Sequence, residues 1–321
     1  MKTVKAGFDI LERAEERGNL AVIEQAARTC YKSEGKIKAD GSSAEAMVKG
    51  LIRSHHEAML EHGDYIFEVT PDIYEMTARA LQKIRNSGWQ APMLEMTAIM
   101  GRPIVSGNLR AWRELIAMDD IGRVYMPFID PIYLSDIDRQ PYPRREGMRQ
   151  MLYGDLRDVL ERETHIRATA RFIVDRGVSH EFVRHRRFSF AQESTRYCNY
   201  SQDKFGGEIT FVRPCFLAEW SDGARDWADA CSKAEEMYFR LLDYGYTPQE
   251  ARAVLPNSLK TELVMTGTLR DWKHFFSLRA LGTTGAPHPQ AKEVAEPLMT
   301  FFQVGWPDVF PSHHTKESNS L

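Results

Sequence analysis

The sequence predicts a mixed fold, α/β or α+β. Runs rich in β-branched and aromatic residues alternate along the chain with stretches of helical periodicity, which is the pattern of sheets covered by helices. No internal repeat or low-complexity linker divides the chain. Its 321 residues, 43% hydrophobic and 27% charged, supply a sizeable core for one large domain or two smaller ones.

The elements follow in order. Ala21–Arg28 has helical character. A second helix starts at Ser42 or Ser43, both good N-caps, and runs through Met47, Leu51 and Ile52 toward His56. Tyr65–Val69 is strand-like, and Thr70-Pro71 opens a helix carrying Ala78, Leu81 and Ile84. From Gly88 to Arg162 the pattern is an elaboration. It holds a helix near Leu109–Ile116, a Pro- and Asp-rich stretch over Pro127–Pro143, and a helix near Met148–Leu160. Thr169–Val174 is a strand ending in the turn Asp175-Arg176-Gly177, and Ser179 caps a short helix over His180–Val183. Ile209–Val212 is a strand stopped by Pro214, followed by a long amphipathic helix over Glu219–Leu242. Thr247-Pro248-Gln249-Glu250 is a capping box that starts a helix carrying Arg252. A strand at Leu263–Met265 leads into a helix over Arg270–Leu281. A last helix spans Pro289–Phe302, with a frayed polar tail after Pro311.

Composition narrows the function classes. The formal net charge is −3, which argues against nucleic acid as the main partner. No apolar run reaches membrane-spanning length. The start, Met1-Lys2-Thr3-Val4-Lys5, leads into an acidic amphipathic segment rather than a signal peptide's apolar region, so the expected location is cytoplasmic. Cys30, Cys198, Cys215 and Cys231 are scattered without a CxxC pair. Neither a metal cage nor a disulfide framework is expected; Cys198, beside a cationic segment, is a candidate nucleophile, but a small buried thiol is the better reading for each of the four.

Against this acidic background, the run Arg184–Tyr197 holds four guanidiniums, an imidazole, hydroxyls and an amide. Planar Arg forks bind phosphate oxygens in pairs, so the run suits a discrete, highly charged anion such as a nucleotide. RNA binding is the rival reading, with Phe188, Phe190 and Tyr197 stacking bases; the net negative charge weighs against it. His55-His56-Glu57 invites a zinc reading, but position 60 is Leu, so the second His of HExxH is missing and no metal is expected. These histidines read instead as a helix C-terminus or a polar wall beside a ligand. On the helix over 270–281, Arg270 and His274 lie one turn apart. Arg279 follows Arg270 by nine residues, half a turn out of phase, so one helix would address a ligand on each side. Trp272, Phe275, Phe276 and Leu278 are expected to pack inward.

Together these residues resemble a known family. Arg184-His185-Arg186, seven residues, then Ser194 resembles the RHR(x)7S motif of flavin-dependent thymidylate synthases. Ala26-Ala27-Arg28-Thr29-Cys30-Tyr31, His56-Glu57 with Glu61-His62, Ala251–Pro256 and the Arg270, His274, Arg279 helix resemble the family's other landmarks, in order. They cover the chain except about 70–165, where a long insertion stands. The resemblance implies a single domain over 1–321, built on a central, mostly antiparallel sheet flanked by helices. It also implies a methyltransferase, cytoplasmic and homotetrameric, with active sites shared between subunits. The implied reaction converts dUMP to dTMP with 5,10-methylenetetrahydrofolate as carbon donor. FAD, recharged by NADPH, is the hydride donor, and no cysteine nucleophile takes part. Carried over, Arg279 would be catalytic, stabilising charge on the uracil ring. Glu181, Arg184, Gln192, Glu193, Ser194, Thr195, Arg196, Arg252 and Arg279 would bind dUMP, with Arg252 acting on a neighbour's site. His56, Ala58, Arg184, His185, Arg186, Gln192, Thr268, Arg270 and His274 would bind FAD. The family often carries Asn where Thr268 stands and Ser or Thr where Ala58 stands.

Overall fold

A computed structural model describes residues 1–11, 18–202 and 206–311. In chain order the strands and helices are β1 (Lys2–Val4), β2 (Gly7–Leu11), α1 (Asn19–Tyr31), α2 (Ser42–Arg53), β3 (Asp64–Glu68), α3 (Pro71–Asn86), β4 (Leu94–Ile99), β5 (Arg102–Asn108), α4 (Leu109–Met118) and β6 (Arg149–Gln150). There follow α5 (Val159–His165), β7 (Arg167–Asp175), α6 (Arg176–Phe182), β8 (Ser189–Gln192), β9 (Thr210–Val212), α7 (Asp222–Asp243), α8 (Pro248–Ala251), β10 (Lys260–Thr268), α9 (Leu269–Arg279) and α10 (Pro289–Gly305).

The strands form two four-stranded antiparallel sheets. The first has the order β2-β7-β10-β8, its centre fixed by β10 pairing β7 from Lys260↔Asp175 to Thr268↔Arg167. The second has the order β4-β5-β3-β6. A short parallel pair, β1 with β9, stands apart. Each sheet has its own aromatic core. Phe172, Phe182, Trp272, Phe275 and Phe302 fill the first; Phe67, Trp112, Tyr125 and Leu115 fill the second. Edge-to-face contacts such as Phe182–Phe275, with centroids 4.9 Å apart, add to the burial of apolar area.

Several expected boundaries move, each for a local reason. Gly41, at φ 75°, precedes α2 in the N-cap position, while the buried Ser43 hydroxyl donates to Glu24 at 3.0 Å. His55 and His56 fall beyond the end of α2: His55 reverses the chain at φ 55°, and His56 heads a 3₁₀ turn over Glu57–His62. No continuous helix covers Met148–Leu160, which holds a 3₁₀ turn over Tyr153–Asp155. Arg149 instead joins β6 and ion-pairs with Glu68, and the capping box of Asp158 with Glu161 delays the helix to Val159. Asp175, not Ser179, caps α6 by accepting from the Val178 amide at 2.7 Å, so the expected turn is that helix's first turn. Leu81 and Ile84 are buried on α3, whereas Ala78 faces outward. Of the cysteines, Cys198 and Cys231 are buried, Cys30 is partly so, and Cys215 is exposed. The tail after Pro311 lies outside the described residues.

Candidate functional site

The cationic run is divided by a strand. Arg184–Phe188 is the loop leaving α6. Ser189–Gln192 forms β8, the edge of the first sheet, paired with β10 from Ser189↔Thr266 to Gln192↔Leu263. Ser194–Cys198 is a turn at the far end. A four-residue strand spans roughly 13 Å, so the run's two cationic ends are held apart.

At the first end the loop faces α9 across a cavity of about 640 Å³. Its wall carries the guanidiniums of Arg184, Arg186, Arg187, Arg270 and Arg279 and the imidazoles of His185 and His274, with Phe188 and Leu278 as apolar surface. Arg270, His274 and Arg279 thus share one cavity, contrary to the half-turn expectation. Arg279 closes the last turn of α9 and its long side chain reaches back across the loop. Its Nε donates to His185 Nε2 at 3.2 Å, its Nη2 to the Glu181 carbonyl at 3.0 Å, and its Nη1 to the Glu181 carboxylate. His185 is 7% exposed and its pKa is pushed down to about 4, first by burial and then by Arg279 and His274. Its ring is therefore neutral at pH 7, and accepting at Nε2 puts the proton on Nδ1.

The loop's approach depends on Gly267. A Cβ there would stand 2.7 Å from the Phe188 ring, which packs edge-on against Trp272 at 4.8 Å. Phe188 is 6% exposed and Phe190 is half-buried, so Phe188 is not a platform for stacked bases. Trp272, Phe275 and Phe276 pack inward as expected, whereas Leu278 lines the cavity. Arg187, Asp271 and Glu95 belong to the cavity's surroundings although no motif marks them as ligands. Arg187 Nε donates to Asp271 at 2.7 Å, and Glu95 bridges Arg187 and Arg270. The Thr268-Leu269-Arg270-Asp271 capping box could have revealed Asp271; nothing local marks Glu95. That box also engages Thr268, 1% exposed, whose hydroxyl donates to Asp271 at 2.6 Å. Among the described residues, the guanidiniums of Arg184 and Arg186 make no ion pair. Two exposed, uncompensated forks beside an apolar wall suit the pyrophosphate and rings of a dinucleotide such as FAD.

The second end is wired differently. Ser194 is held by its amide, which donates to the Cys30 carbonyl at 3.0 Å, tying this turn to the end of α1. Arg252, in a 3₁₀ turn after α8, donates to Thr195 Oγ1 at 2.9 Å within the same chain. Arg196 is exposed, its guanidinium 5.4 Å from the Tyr197 ring. Ser194, Arg196 and Arg252 therefore gather around one turn. Glu193 does not join them: it is 3% exposed and accepts from Lys260 at 2.9 Å. Gln192 donates to Ser179 and Thr261 beneath the sheet edge. Nearby Glu262 loses proton affinity. Burial opposes this, but Lys260 and Lys32 outweigh it and bring the pKa down to about 2.

The expected FAD residues do not all converge within one chain. His56 is exposed and lines a separate cavity of about 650 Å³ with Arg28, Tyr31, Lys36 and Lys38. Ala58 is exposed beside it in sequence and carries no polar side-chain atom. His62 has a structural place: 2% exposed, bonded through Nδ1 to Thr266 Oγ1 at 2.7 Å, with its pKa lowered to about 3 by burial and then by Arg167. Glu57 and Glu61 ion-pair with Arg113 and Arg110 of α4, both at 2.9 Å. Among the described residues, no cluster of side chains is arranged to hold a metal, and no helix is long and apolar enough to cross a membrane.

Comparison with known proteins adds a family. A family model described as thymidylate synthase complementing protein matches residues 13–87 and 159–308, leaving 88–158 between the two matches. Three proteins named flavin-dependent thymidylate synthase are similar. One, from Corynebacterium aurimucosum, is 31% identical over 156 residues, 44% of this chain and 59% of that protein. Another, from Thermococcus kodakarensis, is 35% identical over 116 residues, 35% and 46% of the two chains. The third, from Pyrococcus horikoshii, is 36% identical over 101 residues, 32% and 41%. The alignments thus span about half of each relative's length. A solved UMP/dUMP methylase from Streptomyces cacaoi, bound with 5-Br UMP, aligns over 97% of this chain and 94% of its own, at 17% identity and a TM-score of 0.42.

Proposed function

The chain belongs to the family of thymidylate synthase complementing proteins, and we propose that it is a flavin-dependent thymidylate synthase that methylates dUMP to dTMP. The observation that carries this reading is the cavity where Arg184–Phe188 meets Arg270–Arg279, with Arg184 and Arg186 uncompensated. Its donor set fits FAD: Arg184 and Arg186 would hold the pyrophosphate, while His185, Arg270 and His274 would line the rest. Thr268 would act through the cap of α9, which engages its hydroxyl, rather than by touching FAD. When bound, reduced FAD would supply the hydride that completes the methyl group, with NADPH as its reductant and 5,10-methylenetetrahydrofolate as carbon donor.

The protein's own residues position ligands and stabilise charge. Arg279 would face the pyrimidine ring and stabilise negative charge as C5 gains the one-carbon unit and loses its proton. Glu181 and His185 hold that guanidinium in place. A permanently charged guanidinium needs no proton transfer to do this. Ser194, Arg196 and Arg252 would hold the dUMP phosphate, and Thr195 would steady Arg252. Glu193 would serve indirectly, by fixing Lys260 beneath the turn. Burial pushes the thiols of Cys30 and Cys231 up to about 11, which weighs against either as a reactive thiolate and fits a mechanism without a cysteine nucleophile. His56 and Ala58 would reach a flavin held by another copy, as expected for a homotetramer with shared sites.

The reading is tested by tritium release from 5-tritiated dUMP. Protein loaded with FAD should release tritium only when both methylenetetrahydrofolate and NADPH are present. Absence of release, with bound flavin verified by its absorbance, would count against the activity.

A further inference from the structure

We propose that Glu95 is a positioning residue for the phosphate-bearing ligand of the cavity: its carboxylate fixes Arg187 and Arg270 in the wall that the ligand meets. Glu95 lies on β4, within the stretch 88–158 between the two family matches. The inference rests on the proposal that the cavity takes FAD and adds a task for residues that the family's motifs do not cover.

The geometry is that of a carboxylate behind two guanidiniums. One Glu95 oxygen accepts from Arg187 Nη2 and the other from Arg270 Nη2, the latter at 2.6 Å. The Glu95 side chain is 16% exposed, against 52% for Arg187 and 42% for Arg270, so the cations stand toward solvent and the anion beneath them. Each arginine gives Glu95 a single N–H, which leaves further N–H groups for a ligand anion. Arg187 is held a second time, by Asp271. For Arg270, Glu95 is the one ion-pair partner among the described residues. Without it, two like charges would face each other across the wall and Arg270 would swing on an unconstrained stem.

Glu95 is itself rigidly mounted. β4 pairs with β5 from Leu94↔Gly107 to Ile99↔Arg102. The strands are pinned to α5 by the buried His165, bonded to Ser106 at 2.7 Å and to Thr97 at 2.8 Å. Two further ion pairs, Arg113–Glu57 and Arg110–Glu61, tie the same stretch to the His56–His62 segment. The second sheet thus braces the cavity from outside, and Glu95 is its point of contact with the ligand-facing arginines.

The test is equilibrium binding of FAD, with ADP as a second probe, to four proteins: wild type, Glu95→Gln, Arg187→Ala/Arg270→Ala, and the triple variant. Glu95→Gln should weaken both ligands about tenfold in wild type and have no further effect where both arginines are gone, since it acts through them. Glu95→Asp, which keeps the charge but retracts it, should give an intermediate loss and carries the test if the Gln variant does not fold. Unchanged or tighter binding in Glu95→Gln would overturn the inference, because the carboxylate would then be idle or a competitor of the ligand. An equal loss with and without the arginines would overturn it too. Wild-type protein that binds neither FAD nor ADP would overturn the cofactor reading and this inference with it, whereas wild-type binding with an inert Glu95 overturns this inference alone.

Discussion

The two ends of β8 carry similar side chains and differ in the space those charges line. At the Arg184–Phe188 end, two guanidiniums have no ion pair among the described residues, and the neutral His185 lies beneath them. At the Glu193–Arg196 end Glu193 and Glu262 answer Lys260 and Lys32, while Arg176, which donates to the Glu193 carbonyl, Arg196 and Arg252 make no ion pair among the described residues. One end is an open cationic wall suited to a dinucleotide. The other is a turn whose unpaired guanidiniums suit a single phosphate. An edge strand of fixed length sets the distance between them, which is what a reaction between two bound ligands requires.

Substitutions at the two ends should separate these roles. The largest effect is expected at Arg279. Arg279→Ala should cut turnover by about 10³-fold, the scale of removing a charge-stabilising donor, while retaining FAD. Turnover within a few-fold of wild type would remove Arg279 from the chemistry. Shared sites predict complementation. Arg270→Ala and His56→Ala, each inactive alone, should recover about a quarter of the sites when mixed and reassembled. No recovery in mixed oligomers, verified by mass, would mean that each chain builds its own site.

Gly267→Ala presses a methyl against Phe188 and should destabilise the protein by about 1–3 kcal/mol. The loss of FAD affinity should exceed any loss of dUMP affinity; equal losses would show that the two ends are mechanically coupled. Acid should also distinguish the ends. His185 has a pKa of about 4 against an ordinary 6.5, so the unfolded chain takes up a proton first. The stabilisation is complete above 6.5 and is lost as pH falls toward 4, at up to about 1.4 kcal/mol per pH unit. His62 and His165, both lowered to about 3, extend the same trend. Glu262, lowered from 4.5 to about 2, contributes stability that is lost only below 4.5. Hydrogen exchange at Arg184–Phe188 should therefore rise at a higher pH than exchange at Glu193–Cys198; the reverse order would contradict these assignments.

The sequence was most legible where local chemistry decides the structure. The capping box at Thr247, the strands that became β7 and β10, and the helix α9 all follow from short-range rules. Legibility failed where a residue breaks its own preference. The β4–β5 hairpin turns on Met100 and Gly101, both at positive φ, and a methionine in that position hides a turn usually marked by Asn or Gly. It also failed where the partner is distant in sequence. Helical phase put Arg279 opposite Arg270, yet the loop from α6 wraps the end of α9 and brings both to one cavity. Glu95 lies more than ninety positions from Arg187, and no spacing rule joins them.

The division of labour along β8 is tested most directly by titrating FAD and dUMP into Arg186→Ala and Arg196→Ala. The account predicts a crossed result: Arg186→Ala loses FAD affinity and keeps dUMP, while Arg196→Ala loses dUMP affinity and keeps FAD. Parallel losses of both ligands in both variants would contradict it.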